Sequence, residues 1–93
     1  MHITMVKKIL ADGSPCKKCG EVLAKMEADD QLKYMNEILI ADERDANSAG
    51  MQLAKKLGVE RAPFFVVTGD DGSQTIYTVY LKFVKEVLNA TTN

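Results

Sequence analysis

The chain lacks an excess of either charge: 12 lysines and arginines stand against 13 aspartates and glutamates, a net charge of -1 over 93 residues. A protein that tracks a phosphate backbone carries a basic face, so nucleic acid is not an expected partner. Long apolar runs are missing too. Runs such as Phe64 to Val67 fall far short of the roughly 20 residues a helix needs to cross a bilayer, so no membrane span is expected. Near Met1, Lys7 and Lys8 follow Ile3, Met5 and Val6, without the basic start, apolar stretch and small-residue cleavage site of a secretory signal. The cytoplasm is therefore the expected compartment.

Metal-ligating residues are scarce as well. There is one histidine, His2, and there are two cysteines, Cys16 and Cys19. A closed zinc site takes about four ligands, so no metal or other cofactor is expected within one chain. A bridge between Cys16 and Cys19 would close so short a loop that it constrains little chain entropy, which makes a structural staple a poor reading. Two readings stay open for the pair at this point: redox chemistry, or two chains pooling their cysteines around zinc or an iron–sulfur cluster.

What is present is the patterning of one globular domain over residues 1–93. His2 to Leu10 reads as a strand, closed by the turn-rich Asp12-Gly13-Ser14-Pro15. Ser14 suits a helix N-cap and Pro15 the first helical position, which predicts a helix from Cys16. Cys19, Val22, Leu23 and Met26 then recur on one face, with Lys17, Lys18, Glu21, Lys25 and Glu27 largely off it, as far as Asp29 and Asp30. Met35 to Ala41 predicts a second strand, largely buried, broken by Asp42 to Asp45. Ala46 to Leu57 predicts a second helix, with Gly58 in the left-handed position that ends it.

Phe64 to Val67, a turn at Gly69 to Gly72 and a run from Gln74 to Thr78 give a β-hairpin. Phe64 and Phe65 are read as core on one side and rim on the other. Val79, Tyr80, Phe83, Val84, Val87 and Leu88 form the stripe of a third helix, and Asn89 to Asn93 read as a frayed tail. The order β-α-β-α-β-β-α implies a parallel pair from the βαβ unit and an antiparallel pair from the hairpin. The expected class is α/β, a four-stranded mixed sheet flanked by three helices.

Thiol–disulfide exchange needs one thiolate to attack and a second thiol close enough to displace the mixed disulfide. Cys-X-X-Cys at a helix start meets both demands. Three residues of helix bring the sulfurs to nearly the same face, and the free N–H groups of the first turn favour negative charge on the outer one. Lys17 and Lys18 add positive charge that tunes the thiol pKa downward, modestly because they are solvated. Cys16 is the expected nucleophile and Cys19 the more buried resolving thiol.

Two segments, Ser14-Pro15-Cys16-Lys17-Lys18-Cys19 at a strand-to-helix junction and Leu57-Gly58-Val59-Glu60-Arg61-Ala62-Pro63-Phe64-Phe65-Val66-Val67 before a hairpin, together resemble the thioredoxin superfamily. The resemblance covers nearly the whole chain, in the minimal glutaredoxin-sized form without an extra N-terminal strand and helix. It implies a thioredoxin fold, with Pro63 as a cis-proline lying against the cysteines and keeping metal from between the sulfurs. It also implies that the backbone of Ala62 pairs with an extended substrate, so that Pro15, Ala62 and Pro63 bind substrate. The plainer reading of Pro63 is a strand-opening proline.

The chain departs from the family in three places. Lys17-Lys18 stand where thioredoxins have Gly-Pro and glutaredoxins Pro-Tyr. Leu10 lies where thioredoxins carry a buried acid, with Asp12 nearby. Thr78-Val79-Tyr80 follow the hairpin in place of a Gly-Gly-X-Asp glutathione clamp, which argues against glutathione and for a protein dithiol donor (a reductase) as partner. A monomeric dithiol oxidoreductase acting on protein disulfides is the leading expectation. A dimeric zinc or iron–sulfur carrier and a non-catalytic docking module built around Pro63 are the alternatives.

Overall fold

Alternation along the first strand decides which side chains reach which layer. In β1 (His2–Ile9), Ile3 and Met5 enter one core cluster while Val6 enters another, as the pleat of a strand requires. The computed structural model describes residues 1–89. It places β1 inside a four-stranded mixed sheet of order β2-β1-β3-β4, with β2 at Glu37–Asp42, β3 at Phe64–Thr68 and β4 at Gln74–Tyr77. β1 runs parallel to β2, with Val6 beside Leu39, and antiparallel to β3, with Val6 beside Phe64; β3 and β4 form the antiparallel hairpin.

Three helices flank this sheet. Against one face lie α1 (Lys17–Ala28) and α3 (Tyr80–Phe83), the latter continuing as a π-helical stretch Val84–Leu88. Ile3, Met5, Val22, Met26, Phe65 and Phe83 meet there, and the Phe65 and Phe83 rings stack with centroids 4.1 Å apart. Among the described residues the other face carries α2 (Ala49–Leu57) alone, over Val6, Ala41, Phe64 and Val66. A short 3₁₀ turn, Leu32–Tyr34, connects α1 to β2. The α/β class, the mixed sheet and its helix count follow the pattern expected from the sequence. Among the described residues no helix is long and apolar enough to cross a membrane.

Several boundaries and burial assignments differ from the sequence-based expectation. β2 is not a buried strand. It forms an edge of the sheet, and Ile38 and Ile40 are 40% and 41% exposed. Phe64 and Phe65 are both core, one in each layer, because consecutive residues of a strand flanked on both faces by helices are buried alternately on either side. α2 starts at Ala49 because Asp45 to Ser48 are taken by local bonds: the Asp45 carboxylate accepts the Asn47 N–H at 2.9 Å, and the Ser48 hydroxyl donates to the Asp45 carbonyl at 2.8 Å. Val79 is an exposed N-cap instead of a buried stripe position. Of the tail read as frayed, Asn89 stands in a helical turn and residues 90–93 lie outside the described residues.

Gly58 has φ 69°, the left-handed conformation that ends α2, and the Val59 N–H returns to the Ala54 carbonyl at 2.9 Å. Gly50 has a different reason to be glycine. A Cβ there would stand 2.3 Å from the Ala41 nitrogen, so α2 rests directly on the β2 backbone. Gly50→Ala is expected to force the two apart and destabilise the protein by about 1 to 3 kcal/mol, read as a lowered urea midpoint. An unchanged midpoint would show that the contact is looser than this.

Candidate thiol site

The site is built where β1 gives way to α1. Leu10 has left the strand: its N–H donates to the Ser14 carbonyl at 2.8 Å, its carbonyl accepts the Gly13 N–H at 2.9 Å, and its side chain is 37% exposed. Asp12 faces its own loop, accepting the Ser14 N–H at 2.9 Å and the Ser14 hydroxyl at 2.6 Å. Those bonds hold the Asp12 carboxyl below the usual carboxylate range and turn the Ser14 hydroxyl toward Asp12. Pro15 stays extended in an antiparallel bridge with Ile9, and the Cys16 N–H donates to the Lys8 carbonyl at 3.0 Å.

The expected N-cap and helix start are therefore displaced. Cys16, not Ser14, is the N-cap, with φ -63° and ψ 121°, and α1 begins at Lys17. The Cys16 Sγ accepts the Cys19 N–H at 3.2 Å, and the Cys16 carbonyl accepts the Gly20 N–H at 3.1 Å. A sulfur in this place does what a serine or aspartate oxygen does at other helix starts: it satisfies an N–H that the first turn leaves without a partner.

Both cysteines are free thiols, Cys16 partly exposed and Cys19 only 3% exposed. Burial pushes the Cys19 thiol up to about 11, and its hydrogen bond to Cys16 and the proximity of that sulfur push the same way. A backbone hydrogen bond from Lys8 and the charge of the Lys8 ammonium oppose them. At neutral pH Cys19 is a protonated thiol beside a more accessible sulfur.

Pro15, Cys16 and Cys19 line one cavity of about 170 Å³, together with Lys7 and Lys8. Lys17 and Lys18 point to solvent and are not part of it. Ala62 borders a separate and larger hollow of about 430 Å³ on the α2 face, with Val6, Met51 and Phe64 among its walls. Pro63 is buried, its peptide bond with Ala62 is cis, and it leads directly into β3. Ala62 and the cysteines thus border different cavities.

The residue that sequence reasoning missed is Lys8, which lines both. Its backbone holds the cysteine loop, as above, while its ammonium donates to the Glu60 carbonyl at 3.0 Å and stands 3.6 Å from a Glu43 carboxylate oxygen. The available signal was a lysine two residues after buried Val6, on the same side of the strand, at a position where alternation calls for an apolar side chain. Among the described residues no three histidine, cysteine or acidic side chains gather as metal ligands, and His2 pairs with Glu37 at 3.3 Å.

The chain matches no family model, no curated protein and no solved structure. The chemistry of the site is therefore read from its own atoms: an accessible sulfur that accepts a backbone N–H, and one helical turn away a buried thiol that keeps its proton.

The raised pKa of Cys19 has a consequence for stability. Because the folded state favours the neutral thiol, its contribution is complete below the ordinary cysteine value of 9.0 and is lost as pH climbs through about 11. Urea midpoints of the reduced protein are expected to fall across that interval more steeply than those of Cys19→Ala, which shares every other titrating group. Parallel curves would refute the burial of this thiol.

Proposed function

We propose that the protein is a thiol–disulfide oxidoreductase of the thioredoxin fold, exchanging electrons with protein disulfides through Cys16 and Cys19. The observation that carries this reading is the contrast between the two sulfurs. Cys16 is reachable and accepts the Cys19 N–H, while Cys19 is buried and protonated at neutral pH. The strand order β2-β1-β3-β4 and the placement of Cys16 directly ahead of α1 support the fold, since the resemblance to thioredoxins implies this order of elements.

The Cys16 thiolate attacks one sulfur of a substrate disulfide, forming a mixed disulfide and expelling the other substrate sulfur as a thiolate that takes up a proton. Cys19 gives its proton to solvent or to the departing sulfur, attacks the Cys16 sulfur, and releases the second substrate thiol. Two electrons have passed from the protein dithiol to the substrate, and a Cys16–Cys19 disulfide remains. A protein dithiol donor returns it to the dithiol.

No organic cofactor takes part. Lys17 and Lys18 favour the attacking thiolate through solvent, at a strength that salt reduces. Pro15, Ala62 and Pro63 contribute to holding the substrate. A monomer working in the reducing cytoplasm suits a dithiol that must be recharged continually.

Cys16→Ser is expected to reduce turnover of a disulfide-bonded protein to the uncatalysed rate, whereas Cys19→Ser accumulates a long-lived mixed disulfide with the substrate, seen as a mass increase on non-reducing analysis. With limiting iodoacetamide, mass spectrometry should find the label on Cys16 first. Labelling of Cys19 ahead of Cys16 would reverse the roles assigned here.

A further inference from the structure

The cavity beside the cysteines opens toward the exposed edge strand β2. Ile40 of β2 shares it with Ile9, Leu23 and the two sulfurs. Ile38 projects on the same side of the strand, two residues away. Ile38, Ile40 and the nearby Leu10 are 40%, 41% and 37% exposed, and β2 is an edge of the sheet. An apolar strip therefore leads from the sheet edge to Cys16. At about 170 Å³ the cavity is below the size of a typical small-molecule pocket but has room for one aliphatic side chain.

The rim of this strip is basic. Lys7 lines the cavity, Lys17 and Lys18 stand exposed outside it between the two cysteines at the start of α1, and none of the three makes an ion pair among the described residues. Of the surrounding carboxylates, Asp42 pairs with Arg44 and Glu43 with Lys8, Asp12 accepts from the neutral Ser14, and Glu21 of α1 makes no ion pair among the described residues, so three lysines face two carboxylates without a cationic partner. Charge complementarity points to an occupant that is acidic around an apolar centre, and the adjacent sulfurs require that it carry a disulfide.

We propose that the groove between α1 and the β2 edge docks a protein substrate segment whose disulfide cysteine is neighboured by an aliphatic side chain and flanked by carboxylates. The aliphatic side chain enters the cavity beside Ile40, the carboxylates face Lys7, Lys17 and Lys18, and the substrate sulfur comes to Cys16. This rests on the thiol–disulfide reading above and adds to it the class of substrate. The groove lies on the β2 side of the cysteines and adds a second area of contact to the one proposed at Pro15, Ala62 and Pro63.

The test uses cystine-bridged peptides with leucine or glycine next to the cysteine and aspartate or lysine as flanks, with bis(2-hydroxyethyl) disulfide as a reference substrate. The leucine–aspartate peptide is expected to exceed its glycine counterpart about tenfold in kcat/KM. Its advantage over the lysine-flanked peptide should shrink in high salt. Ile40→Ser and Ile38→Ser, both at exposed positions, should each lower the leucine-to-glycine ratio, and Lys7→Gln the aspartate-to-lysine ratio. Turnover of the reference disulfide without discrimination among the peptides, or an unchanged leucine preference in both isoleucine variants, overturns the groove alone. Failure to turn over the reference disulfide overturns the thiol–disulfide reading, and the substrate assignment with it.

Discussion

One backbone hydrogen bond sets the geometry on which the rest of the site depends. The Cys16 N–H reaches back to the Lys8 carbonyl at 3.0 Å and, with the antiparallel bridge between Ile9 and Pro15, keeps the chain extended as far as Cys16. That puts the Cys16 sulfur over the open end of α1 and leaves Cys19 one turn on, facing the sheet. Without this tie Ser14 and Pro15 could begin the helix, as their residue types favour, and the cysteines would fall within its first turn with neither acting as its cap.

Lys8 extends the same constraint across the sheet. Its main chain fixes the cysteine loop, and its side chain fixes the loop at Glu60 and, through it, the approach to Pro63 and β3. The pleat of β1 makes this possible. Lys7 and Ile9 follow Met5 toward the α1 face, and Lys8 follows Val6 toward α2. A partly buried ammonium is tolerated there because a carbonyl and a carboxylate receive it.

Much of the architecture was legible because it depends on periodicity and on residues with narrow conformational roles. The stripe Cys19, Val22, Met26 gave α1 its buried face, Gly58 ended α2, and the Gly69–Gly72 turn separated two strands. What was illegible depended on competition or on place in the fold. Ser14 has the chemistry of a cap, but Asp12 binds it first. Ile38, Leu39 and Ile40 look like a buried strand, and nothing local says that the strand will lie at an edge. The pairing of Cys16 and Cys19 could be read from their spacing, whereas the partners of Lys8, the Glu60 carbonyl and the Glu43 carboxylate, lie far along the chain and only the fold brings them to it. The hollow on the α2 face is likewise a tertiary result of small side chains such as Ala41 and Ala54 meeting a short helix.

The sulfur cap on α1 also links helix stability to oxidation state. The Cys16 sulfur accepts the Cys19 N–H at 3.2 Å, and a disulfide sulfur is a weaker acceptor than the thiolate that the proposed exchange forms there. Joining the two cysteines would therefore weaken the bond that closes the first turn, and the folded chain would resist giving up its electrons by the part of that bond's free energy that is lost. On a scale where about 30 mV corresponds to about 1.4 kcal/mol, a cap of ordinary strength is enough to shift the equilibrium noticeably toward the reduced form.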